Sequence, residues 1–142
     1  MKLSTFTVGG LACGLPVEVV KEVITVDRIA RVPLAPKEVA GLMNLRGQLV
    51  VSIDLRRRLG LSEAEGGSTG VVVDVGTGPV CLLVDGAGEV AELVDQGGSE
   101  PPATLTGRLR DFVWSVHELH GRSVLVLDAA GIVDVREPSL PR

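Results

Sequence analysis

The chain has 142 residues, of which 45% are apolar and only 2% aromatic, and its formal net charge is -4. That length suits one domain, or two small lobes sharing a core, and the core must be built from Val, Leu, Ile and Ala. The acidic balance excludes a general nucleic-acid binder, whose affinity needs a clustered basic face, and no apolar run approaches the ~20 residues of a membrane-spanning helix.

Valine is stiff at χ1 and favoured in strands, and 18 glycines add many turns, so the composition leans to β. "STFTVGGLACGLPVEVVKEVITV" predicts a strand, a Gly9-Gly10 turn, a second strand and a third over 19–26. The same stretch contains "GLACG", but it is too short and too polar for a secretory leader, which points to a cytosolic protein. Pro33 and Pro36 then forbid a central strand. Pro36 suits the first turn of a short helix over "KEVAGLM". "GQLVVSIDL" predicts a strand, and "DLRRRLG" a short helix capped by Asp54 and stopped by Gly60. Arg56, Arg57 and Arg58 form the one candidate basic patch and read as a solvated helix face. "SEAEGGSTG" (62–70) is polar and Gly-rich, an exposed loop.

The second half repeats this plan. "GVVVDV", "PVCLLVD" and "GEVAELV" predict three more strands, "GSEPPATLTGRLRD" a long irregular connection, and "FVWSVHELHGRSVLVLDAAGIV" a hairpin with a short helical turn. "NLRGQLVVSIDL" at 44 lies over "ELHGRSVLVLDA" at 118, and "CGLPVEVVKEV" at 13 lies loosely over "CLLVDGAGEV" at 81. The fold class expected is mostly β: two pseudo-symmetric five-stranded barrels sharing a hydrophobic interface, with short helices. They form a single domain over 1–142, with lobes at roughly 15–65 and 70–135 and the N-terminal strand crossing between them.

Catalytic constellations are thin. His117 and His120 fall in "HELH", which is not a metalloprotease spacing, and residues three apart on a strand point to opposite faces. Cys13 and Cys81 make no metal-ligand spacing and read as two free core thiols. Neither cysteine, nor a Cys13/His117 pair, has an activating motif beside it. "DVGTGPV" and "DGAGEV" lack the lysine of a phosphate loop and read as hairpin turns. Glu63 and Glu65 lie in the polar loop, a poor place to fix acid–base geometry. The residues thus point to no catalytic centre, metal or cofactor, and to an interaction protein. A thiol-dependent enzyme using Cys13 or Cys81 is the rival from another class.

Leu15-Pro16-Val17-Glu18, then Val32-Pro33 to Pro36, then Gly41 and Asn44-Leu45-Arg46-Gly47 with Asp54-Leu55, together resemble the signature of the CheW family of chemosensory coupling proteins. "LLVDGAGEVAEL", "EPPATL" and "GRSVLVLDAAGIV" are similar to that family's closing half, so the resemblance spans about residues 4–135. It implies two SH3-like barrels and a non-enzymatic cytoplasmic adaptor. The adaptor would join the cytoplasmic tip of methyl-accepting chemoreceptors to the regulatory domain of a CheA-type histidine kinase, without inserting into the membrane itself. The same fold serving a pilus or developmental pathway is the nearest alternative. The resemblance also implies a receptor groove between the lobes, with Gly41, Asn44, Leu45, Arg46 and Gly47 at its rim. Val17 and Val20 would face the kinase, and Glu22 would form a partly buried ion pair with Arg46. The glycines and Asn44 could instead serve only their turn, and Val17 and Val20 only the core.

Overall fold

Ten strands and three short helices follow the apolar runs of the chain in a computed structural model that describes residues 1–61, 68–93, 98–103, 105 and 107–135. The expected Gly9-Gly10 hairpin joins β1 (Lys2–Val8) to β2 (Leu11–Pro16), and β3 (Val20–Thr25) follows. β4 (Val39–Leu45) and β5 (Gln48–Asp54) form a second hairpin, and α1 (Leu55–Arg58) is capped by the Asp54 side chain. Then come β6 (Thr69–Asp74), β7 (Pro79–Val84), β8 (Gly86–Glu92), α2 (Gly107–Phe112), β9 (Val113–Leu119), β10 (Arg122–Leu127) and α3 (Ala129–Val133). Glu63 and Glu65 lie outside the described residues.

The strands make two five-stranded sheets, ordered β8-β1-β2-β10-β9 and β3-β6-β7-β5-β4. Position for position the orders match: β8 with β3, β1 with β6, β2 with β7, β10 with β5 and β9 with β4. In each sheet the third and fourth strands run parallel while the other neighbours are antiparallel. The internal similarity read from the sequence is therefore a repeat of strand order. Each sheet also curls until its ends meet. Beyond β3, Ala30 exchanges two backbone hydrogen bonds of 2.8 Å with Leu42 of β4, and beyond β8, Ser99 exchanges two of 2.9 Å with Val116 of β9. Closure in this way leaves few open sheet edges, as expected for small barrels.

Four expectations about the backbone elements differ from the structure. "KEVAGLM" is not helical; most of it is β4. A helix of seven residues carries a nucleation cost with little return, whereas β5 pairs with this segment from Val39↔Ile53 to Leu45↔Gln48. Gly41 has φ +151, a region open mainly to glycine, and a side chain there would run into the Ala30 carbonyl. The "GRLRD" end of the irregular connection is α2, whose Leu109 and Phe112, three apart, pack on the core. "DGAGEV" does not turn back on β7; β8 crosses to the other sheet. And the sheets do not divide the chain near residues 65–70: β6 and β7 complete the sheet of β3–β5, while the N-terminal hairpin joins β8, β9 and β10.

The largest buried cluster joins the sheets. Phe6, Val8, Cys13 and Leu15 from one meet Ile53, Val71, Val73 and Leu82 from the other, with Leu55, Leu59 and Ile132 of the helices. The interior of each barrel is smaller: Val26, Met43, Val50, Val72, Cys81 and Leu83 in one, Leu3, Leu93, Val124 and Val126 in the other. β6 shows the design in three residues, since Val71 and Val73 face the shared core and Val72 the barrel interior.

Charged side chains stitch the same seam. Arg56 and Arg58 are not a solvated face; their side chains are only 15% and 14% exposed. Successive helical residues turn by ~100°, so the two flank Arg57, which alone points outward. Arg56 makes a two-pronged contact with Asp85, Nε to Oδ1 at 2.9 Å and Nη2 to Oδ2 at 2.7 Å. Asp85 also accepts the Gly9 N–H at 2.8 Å. This bonding, led by Arg56, holds the Asp85 carboxyl below the usual carboxylate range. A depressed carboxyl stabilises the fold above its unfolded-state pKa, so this contribution fades only on strong acidification. Arg58 donates to the carbonyls of Ile132 at 2.9 Å, Gly131 at 2.9 Å and Asp134 at 3.1 Å, capping the end of α3, and stacks 4.7 Å over Phe112. Burial lowers its pKa from the ordinary arginine value, and the Glu38 carboxylate 3.7 Å away opposes that shift.

Phe6→Ala should cost about 3–5 kcal/mol, measured by chemical denaturation. Because the core is shared, hydrogen exchange should show both sheets opening in one transition; two separated transitions would contradict a joint core. Arg58→Ala leaves three carbonyls without their charged donor and should cost about 1.5–3 kcal/mol in the same measurement.

Candidate functional site

Asn44, Leu45, Arg46 and Gly47 form the tip of the β4–β5 hairpin. Arg46 has φ +51 and Gly47 φ +87, the two positive values of a tight hairpin turn, and the Asn44 Oδ1 accepts the Gly47 N–H at 2.7 Å. Arg46 Nη1 donates to Glu22 Oε1 at 3.1 Å, and Nη2 bonds Oε2. Glu22 belongs to β3, at the opposite end of the same sheet, so the contact crosses the gap at which the barrel closes. The burial is one-sided: the Glu22 side chain is 28% exposed but that of Arg46 is 70% exposed. The hydrogen bonds to Glu22 raise the guanidinium pKa further. In solvent such a pair orients the side chain more than it stabilises the fold.

The other barrel repeats this arrangement. His120 (φ +53) and Gly121 (φ +77) form the β9–β10 turn, and His120 Nε2 lies 3.2 Å from Glu89 Oε1 of β8. Arg46 and His120 are thus matched in turn position, backbone strain and partner. The arginine carries its charge at every accessible pH.

An apolar cavity of about 360 Å³ lies along the outer face of the β4–β5–β7 ladder. Val39 and Leu42 of β4, Val51 and Ile53 of β5 and Val80 of β7 form its floor. The floor follows from register, since Leu42 faces Val51 and Val51 faces Val80. One wall is Val32, Ala35 and Pro36 of the segment between β3 and β4; the other is Val133 and Val135 at the end of α3. That helix follows β10 of the other sheet, so the cavity sits between the lobes.

The residues expected at the groove rim do not line this cavity. Gly41 supports it indirectly, by letting the Ala30 strand cross close to Leu42. Arg46 lies four residues from Leu42, roughly 13 Å along the strand. Asn44 pairs with Leu49, and the exposed Leu49 continues the face of Val51 toward the turn. The outer face is therefore continuous from cavity to turn tip. Val17 and Val20 are half-buried, and Val20 packs on the shared core; the exposed apolar residue of β3 is Val23. Leu42, Val51, Val80, Val133 and Val135 carried no motif. Only their shared outward phase on the strands and helix could have pointed to them, and that phase needs the register.

The thiols lie elsewhere. Cys13 and Cys81 are free and buried, and burial pushes their pKa values up to about 12 and about 11. Burial disfavours the thiolate of both near neutrality, the behaviour of core thiols rather than of activated nucleophiles. Among the described residues no three His, Cys, Asp or Glu side chains cluster to hold a metal, and no helix is long and apolar enough to cross a membrane.

Comparison with known sequences settles the family. The model of the CheW-like domain matches residues 2–137. The chain belongs to the CheW-like family. Similar CheW-family proteins include the Chemotaxis protein CheW of Treponema pallidum, 27% identical over 96% of this chain and 84% of its own length. That of Klebsiella aerogenes is 26% identical over 95% and 82% respectively. That of Rhizobium meliloti is 26% identical over 96% and 89%. Among solved structures, the scaffolding protein TtCheW of Thermoanaerobacter tengcongensis superposes with a TM-score of 0.82 at 25% identity, over 94% of this chain and 92% of its own. A CheW-like fold over nearly the whole chain, two SH3-like barrels, is therefore established.

A thiol-reactive probe at neutral pH should label neither cysteine in the native protein and both after denaturation. Rapid native labelling, read by mass spectrometry, would restore the enzyme reading.

Proposed function

We propose that the protein is a non-enzymatic adaptor of chemotaxis signalling, coupling the cytoplasmic tip of methyl-accepting chemoreceptors to the regulatory domain of a CheA-type histidine kinase. It would act on the cytoplasmic side, held at membrane receptors through these partners. The observation that carries the reading is the apolar cavity between the lobes of a CheW-like fold, lined by ten residues without a charge among them. An open groove of this size and character fits the apolar face of an amphipathic helix better than it fits a reacting small molecule. Family membership and the likeness to a scaffolding protein support the same conclusion.

The receptor contact is assigned to the groove and the face running from it to the turn. Gly41, Asn44, Leu45, Arg46 and Gly47 shape the far rim, and Glu22 holds the Arg46 guanidinium in place. The kinase contact is assigned to the first part of β3 and the turn before it, Val17 and Val20. Both contacts are expected to be transient.

The test is a pull-down with a receptor-tip fragment and a CheA-type regulatory domain, followed by titration. Each should bind with an affinity of roughly micromolar to tens of micromolar. Val51→Asp places a charge on the groove floor and should abolish receptor-fragment binding while leaving kinase binding intact. Arg46→Ala should weaken coupling, with circular dichroism unchanged because the side chain is exposed. Failure to bind either partner would overturn the adaptor assignment.

A further inference from the structure

The segment between β3 and β4, residues 27–38, does more than wall the groove. Val32, Pro33, Leu34 and Ala35 form a tight turn closed by the Ala35 N–H on the Val32 carbonyl at 3.3 Å. Leu34 has φ +65, at the turn position that usually takes glycine. Its side chain is 97% exposed. A bulky side chain in the left-handed region is strained, and no burial within the chain offsets the strain. Leu34 therefore contributes nothing to the fold, and it stands beside Val32 and Ala35, which line the groove.

The charges of this segment are equally unspent. Arg28, Arg31 and Lys37 are exposed, and among the described residues their side chains have no hydrogen-bonded or ionic partner. By contrast Arg46, Arg56, Arg58 and Arg108 each meet a carboxylate. In a chain of net charge -4, the segment carries three cations against two anions, Asp27 and Glu38. At its end Glu38 is held by Arg58 and Arg108. On the opposite wall, the Asp134 charge faces Arg58, so that side of the groove is not basic.

We infer that this segment is a selectivity strap: Leu34 is an apolar anchor for the partner, and Arg28, Arg31 and Lys37 select a helix whose apolar stripe carries carboxylates along the flank facing the strap. The inference rests on the groove as the docking site and specifies what docks there. Rim charges of this kind act mainly on association rate, partner discrimination and salt dependence.

The test uses the full chain and three versions of one chemoreceptor-tip helical fragment, with the positions flanking its apolar stripe set to Glu, Gln or Lys. Fluorescence anisotropy at low ionic strength should rank them Glu, Gln, Lys, with roughly tenfold between the extremes. The gap should close as salt is raised. The double variant Arg31→Glu with Lys37→Glu should invert the order. Leu34→Gly should weaken all three versions while its melting temperature stays level or rises, since glycine relieves the positive φ. Equal affinities for the three fragments would overturn the strap's selectivity and leave the groove standing. Unaltered binding by the Leu34→Gly variant would overturn the anchor. If no fragment binds while the kinase domain still does, the docking site itself is misplaced, and the strap falls with it.

Discussion

The apolar seam between the barrels is the largest buried cluster of the protein, and both sheets build on it. A lobe of this size is marginal by itself, and the two barrel interiors are small clusters around Val72 in one and Val124 in the other. The large cluster is the joint one, supplied by Phe6 and Leu15 from one sheet and by Ile53 and Leu82 from the other. Chain threading reinforces the coupling. The first hairpin pairs with the last strands, so the sheet that begins the chain also ends it. Neither half can detach without tearing the other's ladder. A rigid seam of this kind is what allows a groove between lobes to keep its form when empty.

The arginines of α1 extend the constraint from apolar to polar contacts. Arg56 reaches the loop between β7 and β8, where Asp85 in turn holds the Gly9 turn of the other sheet. Arg58 fastens the end of α3, and α3 leads directly into Val133 and Val135 on the groove wall. The position of that wall therefore depends on a side chain buried far from any partner. Breaking such a contact leaves carbonyls without donors, a larger loss than the contact itself is worth.

The Gly9-Gly10 hairpin, the Asp54 cap and most of the valine strands were legible in the sequence because each rests on neighbours a few residues apart. Asp54 accepts a backbone N–H three residues on, a local geometry that any helix start offers, and Asp128 does the same at a cap the sequence reading left unnamed. What was not legible depended on distant partners. "KEVAGLM" suits a helix or a strand by its own pattern, and only β5 decides. Arg56-Arg57-Arg58 reads as a solvated run until α3 and Asp85 arrive from 29 or more residues away. The site divided along the same line. The Asn44–Gly47 turn stood out as a motif, and its arginine does meet Glu22. The strand and α3 residues of the cavity were silent, since an outward valine and an inward valine are the same letter; only Val32 and Pro36 of its lining belonged to a motif.

Strain completes the separation between folding and docking. Among the described residues three non-glycine side chains occupy positive φ: Leu34, Arg46 and His120. All three sit at exposed turn tips, where neighbouring packing cannot recover the cost. For Arg46 and His120 the matched carboxylates Glu22 and Glu89, each from the far edge strand of its own barrel, supply a local reason. These pairs lie over the barrel seams that backbone bridges already close, so their removal should disturb orientation before it disturbs structure. Leu34 has no such partner, and its neighbours on the strap are unpaired cations. The seam fixes the scaffold through buried groups, while the strained tips carry side chains the scaffold can do without. Changes at the tips are therefore expected to probe the proposed contacts without first unfolding the protein.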